Sequence, residues 1–510
     1  MMKLKPHWWF WVTWLLLCSS LGFWKNLQKP PYSMHQGAQA DRACVAWNYY
    51  HESMNFFLPR VMESRAWDGI AGMEFPALPY TSALLYKIFG FHDGIYRAVM
   101  WFIVSFGVYA AWLITGFFVR RNLNRLLLVY GWYLSPVLVF YTPNFLPDPA
   151  ALSFSMLAWY FFFRFYFQIQ IRKSLWLYTL FISLAGLIKV SFLITHFAIF
   201  GLCVLPLIPR LKLPLSVPVK PRHVLWFIVP LACVGSWYSY SAALTRKTWN
   251  VHFLQQPNPA KSWAQLTDNT AYAFNTWYDS IYAGYLLYFV IAFILITIVI
   301  HYRKNPLIAA ISGFLFLGFA AAFILFNTQF RYHDYYFILL FPFLFFGLLL
   351  MQQTFVENRT VFIGLVPIIL MLGFYYFPIR NFFHSRHMQD RKYGENDYYN
   401  QALIHNYSAY DSMAMYLNKN IPANSRIMLA FDPSPNTGLY LLQRKGVRIA
   451  TDFPAELAQS IAAEHHIKYV VINDSALWNK NFTKVFGSIP RIRQQYNNLY
   501  LLEYAEIEKQ

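Results

Sequence analysis

The sequence predicts a polytopic α-helical membrane protein of about eleven transmembrane helices with a small soluble α/β domain at its C-terminal end. Three observations predict it. Of 510 residues, 57% are hydrophobic, 20% aromatic and only 13% charged, against roughly 25% charged in an average soluble domain. Apolar runs long enough to cross about 30 Å of hydrocarbon recur through the first three quarters of the chain. Beyond Ile379 the pattern changes to short apolar strands alternating with helical stretches.

Taken in order, the spanning runs are 8–23, 98–119, 126–141, 150–167, 175–188, 190–208, 225–244, 281–300, 307–326, 335–350 and 361–377. The stretch 175–208 is split at Lys189 because a single 34-residue helix would be about 51 Å long, too long for one span. Cations set the orientation. Lys3 and Lys5, Arg120, Arg121 and Arg125, Arg172 and Lys173, the group from Arg210 to Arg222, Arg303 and Lys304, and Arg359 occupy every second loop. By the positive-inside rule those loops and the N-terminus are cytoplasmic, and eleven crossings leave the C-terminal part outside.

The net charge of +19 is thereby spent in short clusters between apolar runs, and no basic face with interleaved recognition residues points to nucleic acid. Cys18, Cys44, Cys203 and Cys233 are scattered and form neither a disulfide framework nor a metal-ligand spacing. The basic, then apolar start lacks a small-residue cleavage site, which favours an uncleaved first helix. No internal repeat of the kind that builds many transporters is visible.

Three exoplasmic regions follow from this topology. The first loop, 25–96, carries two expected interfacial helices, 41–54 and 78–89, rich in Trp, Tyr and Phe. The second, 245–280, is polar with three tryptophans. The third, 379–510, is expected to hold helix 412–420, strand 426–431, a helical turn, strand 447–451, helix 454–466, strand 468–473 and a late strand 498–504, giving a largely parallel sheet. It contains neither G-x-G-x-x-G nor a P-loop.

Candidate chemistry gathers on the exoplasmic side. Asp41, in His35-Gln36-Gly37-Ala38-Gln39-Ala40-Asp41-Arg42, fits a helix N-cap, or a carboxylate at the membrane surface that takes a proton from an acceptor hydroxyl or binds a metal. Glu74 precedes the second interfacial helix, and Asp148 lies in a very short turn where it would either cap a helix or join Asp41. Lys189 interrupts an apolar run, so it either snorkels or holds a lipid phosphate. In Gln329-Phe330-Arg331-Tyr332-His333-Asp334-Tyr335-Tyr336, His333 beside Asp334 adds titratable groups that a membrane anchor would not need.

Gln39-Ala40-Asp41 with Ala46-Trp47-Asn48-Tyr49-Tyr50, Glu74-Phe75-Pro76 with Pro79-Tyr80, Pro147-Asp148 and His333-Asp334-Tyr335-Tyr336 resemble bacterial membrane glycosyltransferases of the GT-C fold. That group is related to protein O-mannosyltransferases and lipid A aminoarabinose transferases, and the resemblance extends over the membrane part to about Phe377. It implies a polyprenyl-phosphate-linked sugar donor, an essential acid in the first exoplasmic loop and inverting transfer outside a bacterial inner membrane. Asp41 matches that acid, Glu74 the acid of the second interfacial helix and Lys189 a lysine in the middle of the membrane part. One departure is that Phe75-Pro76-Ala77 follows Glu74 where aminoarabinose transferases carry Lys-Pro-Pro, so Lys189, Arg42 or Arg331 must supply the phosphate contacts.

The resulting expectation is a glycosyltransferase with Asp41, Glu74 and Asp148 catalytic. Lys189, Arg42, Arg331, His333, Asp334 and Tyr335 would bind the donor and its phosphate, and Asp41 with Asp148 would hold a divalent metal if one is used. The acceptor class, whether protein, lipid A, polysaccharide or another lipid, stays open. The rival readings are a lipid or lipid-linked-sugar transporter without chemistry and a non-catalytic assembly subunit.

Overall fold

A computed structural model describes residues 5–204, 220, 223–250, 252–253, 256–281, 286–356, 407–430, 432, 434–449, 455–472 and 491–503. The chain divides into two compact units: one comprising 1–27, 97–240 and 255–385, the other 28–96, 241–254 and 386–510.

The first unit is helical. Among the described residues five helices are long and apolar enough to cross a membrane: Asp93–Thr115, Ile171–Ile188, Val224–Thr248, Pro306–Leu325 and the continuous helical stretch Asp334–Phe355. Val190–Val204 and Leu286–His301 are shorter apolar helices. The centre of the unit is Phe341–Met351, every residue of which is buried. A helix apolar on all sides has no preferred face, so its neighbours surround it. Trp132 Nε1 donates to Phe341 O at 2.9 Å, closing the one polar group of that large ring against the helix start. Close approach elsewhere uses small residues: a Cβ on Gly107 would lie 2.4 Å from Ser153 Cβ, so the helices Asp93–Thr115 and Asp148–Tyr166 meet there only because Gly107 has none.

Several expected spans are corrected. The run 126–141 is two helices, Asn122–Tyr133 and Pro136–Tyr141, because Ser135 is extended (φ −85, ψ 135) ahead of Pro136, which cannot donate back into a helix. The run beginning at 335 opens as a 3₁₀ helix, Asp334–Leu340, before it becomes α-helical. Within the polar stretch 245–280, Trp263–Ile281 is an amphipathic helix. The stretch 175–208 does break at Lys189: Ile171–Ile188 ends there, and Lys189 is extended (φ −151, ψ 106) ahead of the 3₁₀ turn Val190–Phe192 and the helix Leu193–Val204. The run 361–377 and the expected boundary at 378/379 lie outside the described residues.

The second unit joins the first loop to the C-terminal residues. Its sheet consists of β1 (Ile427–Ala430), β2 (Gly446–Ile449), β3 (Tyr469–Ile472), β4 (Arg491–Tyr496) and β5 (Leu499–Glu503), in the order β2-β1-β3-β5-β4. The first three pair in parallel, and β5 runs antiparallel to both β3 and β4. Strand β4 was missed in the sequence because Arg491-Ile492-Arg493-Gln494-Gln495-Tyr496 is too polar to show an apolar face. Met428, Ala430, Val447, Ile449, Val470, Ile472 and Leu502 face Ala458, Ile461 and Ala462 of the helix Ala455–Glu464 to form the core.

The edge strand β2 is covered by the first loop, as an exposed edge must be. Gly446 N donates to Met62 O at 3.2 Å and Ser64 N donates to Gly446 O at 2.8 Å. Asp68 adds ion pairs to Arg426 at 2.7 Å and Lys445 at 2.9 Å. Within this unit the helices Gln36–His51 and Ala77–Phe89 pack on each other, and Thr437–Leu441 packs on the first of them.

Candidate active site

The predicted residues fall into two clusters, one in each unit. In the second unit the first interfacial helix runs Gln36–His51, five residues earlier than expected. Its start is anchored by Gln39, whose Nε2 donates to Tyr32 O at 2.7 Å and Met34 O at 2.6 Å. Asp41 therefore lies in the helix interior, and the capping role that would have explained it away is absent. The half-buried Asp41 carboxyl instead accepts from Asn436 Nδ2 at 2.8 Å.

One position along, Arg42 Nε donates to Glu74 Oε1 at 2.9 Å, and its guanidinium lies 5.1 Å from the ring centre of Phe253. The residues beyond the helix Val224–Thr248 bring in His252, whose Nε2 is 3.9 Å from Glu63 Oε2. Burial pushes the proton affinity of Asp41 above the usual carboxylate range. His252, Arg42 and the Asn436 hydrogen bond oppose that rise, and Glu74 adds to it.

In the first unit Asp148 occupies the first turn of the helix Asp148–Tyr166, where the dipole favours an acid. It is 2% exposed, and its Oδ1 lies 3.3 Å from Lys189 Nζ. The chain break at Lys189 aims this cation out of the helical run, and Val190 N donates to Tyr238 OH at 3.2 Å to hold the break. Lys189 Nζ is 4.3 Å from the ring centre of Tyr336 and 5.4 Å from that of Tyr335. Asp334, 4% exposed, accepts from Tyr141 OH at 2.8 Å, and His333 stacks on Tyr335 at 5.1 Å. Asp148, Lys189 and the His333-Asp334-Tyr335-Tyr336 segment, far apart in sequence, thus share one neighbourhood.

Arg331 is placed differently. It bonds Asp268 and, at 2.9 Å, Asn269 Oδ1, and its guanidinium lies 4.5 Å from the ring centre of Tyr272. All three partners belong to the helix Trp263–Ile281, so Arg331 ties that helix to the segment Asn327–Tyr332. Sequence reasoning missed Asn436 and His252. Neither sits in a chemical motif, although Asn436 follows the carboxyl end of β1, the edge at which parallel sheets present functional loops.

Among the described residues no group of three or more His, Cys, Asp or Glu side chains converges as metal ligands do. Asp41 is held by Asn436 and Asp148 faces Lys189, so neither carboxylate belongs to a ready donor set. Among the described residues, Asp41 and Asp148 do not by themselves make a donor set for the expected metal.

Five described helices are long and apolar enough to cross a membrane, and the solved structures that the chain resembles have the GT-C fold. Among solved structures the chain is similar to ArnT from Cupriavidus metallidurans in the apo state, with a TM-score of 0.58 and 9% identity over 97% of each chain. The same enzyme bound to undecaprenyl phosphate matches at a TM-score of 0.55 and 10% identity over 98% of each chain. The Archaeoglobus fulgidus oligosaccharyltransferase in its apo form matches at 0.56 and 12% identity, covering 92% of this chain and 70% of that one. No protein-family model and no curated protein sequence matches the chain.

Proposed function

We propose that the chain is a bacterial inner-membrane glycosyltransferase that moves a sugar from a polyprenyl-phosphate-linked donor to an acceptor on the exoplasmic face, with inversion at the anomeric carbon. The observation that carries this reading is the state of Asp41: a carboxyl in a helix interior, free of any capping duty, with its proton affinity raised by burial. A general base works best when its pKa approaches the working pH, and this environment moves an aspartate in that direction.

In the reaction the acceptor hydroxyl gives its proton to Asp41 while its oxygen bonds to the anomeric carbon. The bond from that carbon to the phosphate oxygen breaks, and the electron pair leaves with the polyprenyl phosphate. In the first unit Lys189 is the cation suited to a lipid phosphate, and Asp148 and the rings of Tyr335 and Tyr336 hold its ammonium group in place. Arg42, fixed by Glu74, adds a cation one residue from the base, and His333 and Asp334 bind the donor head. Support for the donor class comes from the neighbours, since ArnT has been captured with undecaprenyl phosphate and the oligosaccharyltransferase with a dolichol-phosphate. That oligosaccharyltransferase has also been solved with Zn and sulfate, so adding EDTA to the assay tests a metal requirement directly.

The test is mass spectrometry of envelope glycans and glycoproteins from a deletion strain complemented with the parent gene or with Asp41→Ala. The parent restores one glycosylated product and Asp41→Ala does not, although the purified variant still binds undecaprenyl phosphate. A deletion strain with an unchanged envelope removes the enzyme reading.

A further inference from the structure

We propose that Asn436, from the C-terminal α/β domain, is a positioning residue for Asp41, so that the soluble domain completes the machinery of sugar transfer. This rests on the assignment of Asp41 as the base. The juxtaposition that carries it lies within one compact unit: Asn436 is 0% exposed, its Nδ2 donates to Asp41 Oδ1 at 2.8 Å, and its Oδ1 accepts from Glu63 N at 2.9 Å.

The second of these bonds settles the amide's orientation. Backbone N–H is only a donor, so the atom facing Glu63 must be the oxygen, and the NH₂ group is left to face the Asp41 carboxyl. With both ends committed, the side chain cannot flip without losing two bonds in a buried place.

Its backbone is held as firmly. Asn436 sits at the start of the helix Thr437–Leu441, and Tyr440 N donates to its carbonyl at 2.8 Å. The preceding turn is braced by Ser434 N to Asp432 Oδ1 at 2.7 Å and by Thr437 Oγ1 to Ser434 Oγ at 2.7 Å. Gly37, on the same helix as Asp41, lets this turn approach: a Cβ there would be 3.3 Å from Ser434 Oγ.

The consequence is chemical as well as geometric. Asp41 has two carboxylate oxygens, and a donor fixed on Oδ1 sets the plane of the group and leaves Oδ2 to receive the acceptor's proton. An unheld carboxylate would rotate about its last torsion, which is broad for aspartate. Precise placement of a catalytic group is worth orders of magnitude in rate. The soluble domain is anchored to the first loop along β2 and at Asp68, so the turn bearing Asn436 is carried by a rigid joint rather than a tether.

The experiment uses full-length protein in nanodiscs, with envelope extract of the deletion strain supplying donor and acceptor. Asn436→Ala, Asn436→Asp and Asp41→Asn are compared with the parent for kcat per folded molecule, donor KM and Tm. Asn436→Ala removes the donor to Asp41. Asn436→Asp keeps an acceptor for Glu63 N but turns an acceptor toward Asp41, which separates anchoring from positioning. A hydrogen bond to a charged group is worth about 1.5–3 kcal/mol, so Asn436→Ala lowers kcat by roughly 10- to 150-fold with donor KM within about twofold.

Asn436→Asp loses at least as much kcat per folded molecule, with a lower Tm because it buries a second carboxyl against that of Asp41. Parent-like kcat in either Asn436 variant overturns the inference, and so does a loss of activity that merely follows the loss of folded protein. If Asp41→Asn is inactive and Asn436→Ala runs at the parent rate, the positioning role alone fails. If Asp41→Asn transfers sugar at the parent rate, the base assignment fails and takes this inference with it.

Discussion

Replacing Lys189 with Met tests the proposed phosphate-binding role of its cluster, because the side chain keeps its approximate volume and loses only its charge. In the structure Lys189 Nζ stands 3.3 Å from Asp148 Oδ1, with the two side chains 15% and 3% exposed. At that distance, with an effective dielectric near 20, the attraction is about 5 kcal/mol. Breaking a buried pair by removing one partner costs about 3–5 kcal/mol, because the remaining charge is left uncompensated. Lys189→Met is therefore expected to lower the stability of the solubilised protein by several kcal/mol and to weaken binding of undecaprenyl phosphate by roughly 10- to 150-fold, the loss of one charge-assisted contact.

The double variant Lys189→Met with Asp148→Asn separates these effects. It should regain much of the stability, since no buried charge is stranded, while phosphate binding stays weak. Thermal unfolding and titration with undecaprenyl phosphate in nanodiscs measure the two quantities. A Lys189→Met protein that unfolds and binds like the parent would refute the assignment, and so would a double variant less stable than the parent by the full sum of the Lys189→Met and Asp148→Asn effects.

Two further predictions concern the second unit. A Cβ at position 72 would lie 2.2 Å from Ser241 O and 2.3 Å from Thr245 Oγ1, so Gly72→Ala should cost about 1–3 kcal/mol or more, read as a fall in Tm. Asp432, 1% exposed, is pushed by burial from the usual 3.8 to about 7. A raised folded-state pKa gives stability that is complete below pH 3.8 and is lost as pH rises through 7, a change on the order of 4 kcal/mol. Asp432→Asn should flatten the pH dependence of unfolding across that window, and an unchanged slope would contradict the buried-acid assignment.

The sequence made the apolar helical character legible, together with the break at Lys189 and the parallel part of the C-terminal sheet. Each depends on a strong local signal: apolar run length, a lone cation in hydrocarbon, or β-rich runs between helices. The break at Ser135 and the 3₁₀ opening Asp334–Leu340 were harder to see, because a 3₁₀ turn and an α-helix share the same composition. Pro136 was the available clue to the first.

Among the candidate residues, Asp148, Lys189 and Asp334 were legible because charge inside an apolar chain is costly and stands out. Arg331 stood out for the same reason, and in the structure it pairs with Asp268 and Asn269. Asn436 was illegible for the opposite reason. It lies 395 residues from Asp41 in a Pro- and Gly-containing turn that any α/β domain could carry, and only the tertiary fold brings the two together.

The most direct measurement is sugar transfer by Asp41→Asn beside the parent, with binding of undecaprenyl phosphate recorded on the same preparations. Transfer should fall by at least about two orders of magnitude, the lower end of what a general base contributes, while binding stays within twofold. Transfer at the parent rate by a folded Asp41→Asn protein would contradict the account.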